Sequence, residues 1–230
     1  MSDWAGRGPG AYVLWALIAL FVQSLFASVV PLGEILDLGD PVTSFGAIAV
    51  AAPVVGWSAV SWLRRTWGQP LAVIGLGPPP RTVDAWAWTA VAAIVAVLLP
   101  QWVAGGLEAL DAPVWLYQQS YLEEVGRVEG PVAIGIVVLA ALLAAPFIEE
   151  LIHRGLGMLL CAPFGPKGAA LATAFLFAAL HWKVGAVVPV FALGLLLAWV
   201  RLRTGTLWAC IAVHAIFNAV GLVERLGGSA

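Results

Sequence analysis

Long apolar runs separated by short polar breaks divide the 230-residue chain into about seven segments. Most approach the ~20 residues that a helix needs to cross a bilayer. They fall at about 11–30, 43–63, 84–104, 131–161, 168–181 (with an end anywhere up to 185), 186–200 and 205–223. The first run is too long for the 7–15-residue core of a signal peptide, so a retained span is expected there. Pro31 ends it, ahead of an acidic loop with Glu34, Asp37 and Asp40, and Pro53 predicts a kink in the second span. The loop that follows holds Arg64, Arg65, Arg81 and the stiff run 78–80. The longest polar stretch is 105–130, with Glu108, Asp111, Glu123, Glu124 and Glu129. Trp115, Leu116, Tyr117 and Tyr121 are interleaved in it, which suggests a short helix lying on the membrane. Pro131 is a favoured first helical position, and Pro163, Gly165 and Pro166 break the fourth run. The expectation is an all-α polytopic transmembrane bundle in one membrane domain, 1–230. It comprises N-terminal spans (11–104), an acidic loop (105–130) and a core (131–223).

Composition strengthens this picture. Hydrophobic residues make up 62% of the chain and charged residues 10%, against about 25% charged in a soluble domain. Mean hydropathy is +0.97. A net charge of −2 with no basic block gives no sign of a nucleic-acid partner. Two cysteines, Cys161 and Cys210, make neither a disulfide framework nor a zinc spacing. Twelve tryptophans suit the headgroup interface. With the N-terminus inside, the cytoplasmic side collects Arg7, Arg64, Arg65, Arg81, Arg154, Lys167, Arg201 and Arg203. The outer side then collects only Arg127, Lys183 and Arg225. That bias predicts an inner N-terminus and an outer 105–130 loop. An Ala-, Gly- and Arg-rich, Lys-poor composition points to a prokaryotic cytoplasmic membrane.

One stretch breaks the apolar pattern. Residues 145–155 carry Glu149, Glu150, His153 and Arg154 inside the fourth run. A charge at the bilayer centre costs roughly 2.5–3.5 kcal/mol on insertion scales, so such residues pair or serve function. The fifth run adds Thr173 and His181, and the seventh adds His214 and Asn218. Glu150 and Arg154 are four apart with the acid first, the better order for a helical ion pair. Glu149 and His153 share the same spacing, as do Phe177 with His181 and His214 with Asn218. At ~1.5 Å per residue from the inner helix ends, Glu149, His181, His214 and Asn218 come out roughly 14–20 Å deep. Agreement between three separate helices implies one site. Pro146 removes a backbone donor beside the Glu pair and is expected to free the carbonyl near Leu142.

A Glu and a His on facing helices can hold and deprotonate a water. A carboxylate out of water holds a proton more tightly, which suits a general base near neutral pH. A His and an Asn one turn apart can both donate to a developing oxyanion. The last four runs contain no serine, phosphate-binding glycine loop or H-E-x-x-H pattern. Spacing alone does not rank Glu149 above Glu150. Thr173 is expected to bond its own helix backbone, and Phe177 to pack beside His181.

The three motifs resemble those of the CAAX protease and bacteriocin-processing (CPBP, also ABI) family of intramembrane glutamate endopeptidases. E-E-x-x-x-R matches Glu149-Glu150-Leu-Ile-His-Arg154, F-x-x-x-H matches Phe177 to His181, and H-x-x-x-N matches His214 to Asn218. The resemblance covers about 131–220. It implies a metal-free, cofactor-free endopeptidase in which Glu149 and His181 activate water. His214 and Asn218 would form the oxyanion hole, and Glu150 and Arg154 would support the first Glu. His153 departs from the family, which has an aromatic or apolar residue there; it either pairs with Glu149 or faces a polar gap. Implied partners are the lipid bilayer and a membrane-associated peptide: a C-terminal tail, a sorting signal or a bacteriocin precursor. Two alternatives stand beside this reading. One is a zinc protease using Glu149, His181 and His214, since three ligands plus water make a usual catalytic set. The other is a non-enzymatic immunity or transport protein.

Overall fold

The computed structural model describes residues 40–67, 70–79, 82–117, 125, 128–181 and 186–227, with isolated positions before residue 20. The expected first span, 11–30, and Tyr121 therefore lie outside the described residues apart from those isolated positions. Among the described residues every long element is a helix. That is what hydrocarbon demands of a chain whose backbone donors and acceptors find no water.

Six helices carry the fold: α1 (Asp40–Trp67), α2 (Val83–Glu108), α3 (Pro131–Leu160), α4 (Gly165–Ala179), α5 (Val187–Thr204) and α6 (Leu207–Gly227). Helix α1 runs through Pro53 unbroken. All but α4 are long and apolar enough to cross a membrane. The 15 residues of α4 reach only about 22 Å at 1.5 Å each, short of the ~30 Å hydrocarbon layer. The fifth run is thus a helix that falls short of a full crossing. Its apolar composition could not show this, because the end is set by the turn at Leu180–His181, where His181 N donates to Ala178 O. Of the expected interfacial helix, only a single 3-10 turn at Val114–Leu116 is described.

Helix α3 is continuous but not uniform. Its backbone widens into π turns at Ala140–Ala144 and Leu151–Gly157. Such insertions in an α-helix frequently mark functional sites. Helix α3 lies between α1 on one side and α4, α5 and α6 on the other. Val55, Ala59 and Leu63 of α1 pack against Leu151, Ile152 and Leu156 of α3. A second core joins Ala92 and Ala96 of α2 to Phe177, Leu193, Leu197 and Val213 of α4, α5 and α6. On its other face α2 exposes Trp86, Ile94, Leu98 and Trp102, as a lipid-facing helix does.

The α5–α6 connection is short and pinned. Gly205 closes α5 at φ +72°, a conformation that glycine adopts without a Cβ penalty. Thr206 then accepts from Trp208 N (3.2 Å) and donates to Gly75 O (3.2 Å). The same Gly75 carbonyl accepts from Leu207 N at 2.9 Å, and Trp208 Nε1 donates to Gly77 O at 2.9 Å. The segment after α1 is thereby anchored to the first turn of α6. Five residues of α6, 209–213, separate that anchor, at Leu207 and Trp208, from His214.

Candidate active site

The polar residues of α3, α4 and α6 meet around one aromatic ring. Phe177 is buried, and its centroid lies 5.2 Å from the imidazole of His153, 4.7 Å from His181 and 5.8 Å from His214. The contacts with the three imidazoles are edge-on, the geometry aromatic pairs prefer. The Arg154 guanidinium carbon sits 4.4 Å over the ring. Packing beside His181 is therefore only part of what Phe177 does. It holds all three histidines of the chain in one cluster, a role that no pattern in the sequence signals.

The two neighbouring glutamates are sorted by burial. Glu150 is fully buried, and Arg154 Nη1 donates to its Oε1 at 3.0 Å. Arg154 Nη2 donates to Gly194 O at 3.0 Å, so the cation is shared between a carboxylate and the backbone of α5. Gly194 makes this reach possible: a Cβ there would stand 3.0 Å from Ala174 Cα and Cβ. Its absence brings α4 and α5 close together and leaves the carbonyl open to Arg154. Glu150 Oε1 also accepts from His214 Nδ1 at 2.9 Å. Glu149, by contrast, keeps 29% of its side chain exposed, with Oε2 at 3.7 Å from His214 Nε2. One imidazole thus bridges a locked carboxylate and an accessible one.

Hydrogen-bond partners orient two of the imidazoles. His181 Nδ1 is 2.7 Å from Phe177 O. A carbonyl oxygen only accepts, so Nδ1 carries a proton and Nε2 is the nitrogen on the other edge of the ring. His214 holds its Nδ1 proton against Glu150, so Nε2 is the nitrogen turned to Glu149. The ring therefore lies between two carboxylates.

Asn218 enters differently from the expectation. Its Nδ2 donates to Ala141 O at 2.8 Å. The carbonyl left open near Pro146 is thus that of Ala141, one residue before Leu142, because the turn there is π rather than α. Thr173 bonds only its own helix, to Ala169 O at 2.9 Å and Ala170 O at 3.2 Å. His153 is buried against Phe177. Two polar atoms of the locked pair, Glu150 Oε2 and Arg154 Nε, have no hydrogen-bond partner among the described residues. Among the described residues no three His, Cys, Asp or Glu side chains are grouped to hold a metal ion.

Helix bundle and buried polar centre together define an integral membrane protein with an enzyme-like site. Residues 131–220 match a protein-family model described as type II CAAX prenyl endopeptidase Rce1-like. The segment that carries every residue of the site is thus similar to the CAAX-protease family that the three motifs resemble, a family of intramembrane endopeptidases. No curated protein and no solved structure matches the chain.

Proposed function

We propose that the chain hydrolyses a peptide bond of a membrane-associated peptide with a water activated by Glu149 and His181. The observation that carries this reading is the unequal fate of the two glutamates. Glu150 is sealed against Arg154 and His214, whereas Glu149 remains accessible beside the His214 edge. Only an accessible carboxylate can take a proton from water and return it. Glu149 would accept one proton as the water oxygen attacks the scissile carbonyl carbon. The Nε2 lone pair of His181 would accept the water's other hydrogen bond and orient the attack. The negative charge then developing on the carbonyl oxygen would be met by His214 Nε2–H and by the second amide proton of Asn218, in a site already organised to receive it. Passing its proton to the amide nitrogen, Glu149 would let the C–N bond break and release an amine and a carboxylate. Glu150 supports this chemistry by holding His214 at Nδ1, and Arg154 balances the buried carboxylate.

The substrate class that fits is a peptide presented at the bilayer: a prenylated or other C-terminal tail, a sorting signal or a bacteriocin precursor. The charge bias of the loops supports an inner N-terminus, and the composition supports a prokaryotic cytoplasmic membrane. The test is cleavage of peptides from these three classes by purified protein in liposomes, read by mass spectrometry after exhaustive chelation. Products ending in a new free carboxylate and a new amine, formed at an unchanged rate after chelation, are expected. Activity lost on chelation and restored by zinc, or no cleavage in any class, would overturn the reading.

A further inference from the structure

Two backbone facts about α3 meet at one atom. In the π turn at Ala140–Ala144, the N–H of Ala145 donates to Ala140 O, five residues back. In a plain α-helix that N–H would serve Ala141 O instead, so the α donor of Ala141 is already used. If the π register continued, the next N–H would serve Ala141, but the next residue is Pro146, which has none. Ala141 O is therefore orphaned in either register. Buried carbonyls of this kind find a partner from elsewhere. The partner here is Asn218 Nδ2, at 2.8 Å and from another helix.

This bond has a consequence for geometry. Helices α3 and α6 are cross-linked at two levels: His214 to Glu150 at 2.9 Å and Asn218 to Ala141 at 2.8 Å. His214 and Asn218 are one helical turn apart on α6, about 6 Å along its axis. One such bond leaves α6 free to pivot; two on successive turns fix both its axial register and its tilt. That register is the one in which His214 Nε2 stands 3.7 Å from Glu149 Oε2.

We propose that Asn218 is a positioning residue: it closes the backbone gap that Pro146 opens in α3 and so sets His214 against Glu149. Pro146 and Asn218 work as a pair, with the proline creating the acceptor and the amide filling it. The activity readout rests on the peptidase reading above; the melting readout does not.

A double-mutant cycle between Pro146→Ala and Asn218→Ala tests it. An alanine at 146 supplies the missing N–H to Ala141 O directly, or lets the turn relax so that Ala145 N–H does. Each variant is melted in detergent and assayed for cleavage per folded molecule. N218A is expected to lower Tm and to slow cleavage at least tenfold. In the P146A background the same change is expected to leave Tm almost unmoved, and the double variant should cleave at least tenfold faster than N218A alone. Asn218→Asp, which places an acceptor against the carbonyl, should melt below N218A in the native background; this comparison stands even if P146A fails to fold. Equal Tm losses from N218A in both backgrounds, or N218D no less stable than N218A, would overturn the tie. A coupled Tm without recovery of rate would overturn the positioning role and leave Asn218 acting on substrate alone. Absence of cleavage by the native chain would count against the peptidase reading, while the melting arms still decide the tie.

Discussion

Replacing Arg154 by methionine leaves Glu150 fully buried without its cation. In the native chain that carboxylate has Arg154 at 3.0 Å and no exposure, and among the described residues one of its oxygens has no hydrogen-bond partner. Removing one member of a buried pair costs about 3–5 kcal/mol, because the remaining charge loses its cation without gaining solvent; here the His214 bond at 2.9 Å remains. In a chain of this length each kcal/mol moves Tm by roughly 2–4 °C. The expected fall is therefore roughly 6–20 °C. Cys161 and Cys210 supply the assay: both thiols are buried, so a thiol-reactive dye reports unfolding in detergent without an added label. Arg203 is the control. It is exposed, with its guanidinium 4.6 Å over Trp88, an interaction of about 0.5–1 kcal/mol at an exposed site. R203M should then shift Tm by less than roughly 4 °C. The double variant E150Q/R154M should recover part of the loss, since a buried charge stranded by one substitution is removed by the other. A fall for R154M no greater than for R203M, or a double variant that loses the sum of the singles, would refute this account of the pair.

Two further outcomes follow from packing. Gly194→Ala places a methyl 3.0 Å from Ala174 Cα and Cβ and 3.3 Å from its carbonyl oxygen. Backbone atoms cannot yield as a side chain does, so α4 and α5 must part. A cost of about 1–3 kcal/mol and a slower cleavage are expected as Gly194 O leaves Arg154; Gly135→Ala, which meets nothing within 4 Å, should change neither. Thr173→Val removes a buried hydroxyl whose bonds go only to its own helix. It should cost no more than about 1.5 kcal/mol and leave cleavage within twofold, so a tenfold slower rate would place Thr173 in the chemistry.

How much of this was legible in the sequence varies with the kind of information each feature needs. Hydropathy locates α1, α2, α3, α5 and α6 closely, because a membrane helix is specified by an apolar run and little else. It does not show that α4 falls short of a full crossing, since an apolar segment can end where the backbone turns, as at Leu180–His181. Spacing brings Glu149, Glu150, Arg154, His181, His214 and Asn218 toward one site, because residues four apart share a helix face. It cannot order Glu149 and Glu150, which point in adjacent directions; burial against α5 and α6 decides that. The π turns are invisible to periodicity, so the sequence locates the freed carbonyl near Leu142 but does not single out Ala141. Gly194 and the clustering of three imidazoles on Phe177 depend on contacts between helices far apart in sequence.

Glu149, rather than the locked pair beside it, carries the proposed chemistry. Glu149→Gln keeps the shape of the side chain and removes only its capacity to take a proton. General acid–base groups contribute roughly 10²–10⁴-fold in rate, so cleavage per folded molecule should fall by at least about a hundredfold. Tm should stay close to the native value, because this carboxylate is 29% exposed and its recorded ion-pair contact is a 3.7 Å approach to His214. Glu150→Gln, measured alongside, should show the opposite balance, with the larger loss in stability. An E149Q protein that cleaves within tenfold of the native rate would contradict the claim that Glu149 activates the water.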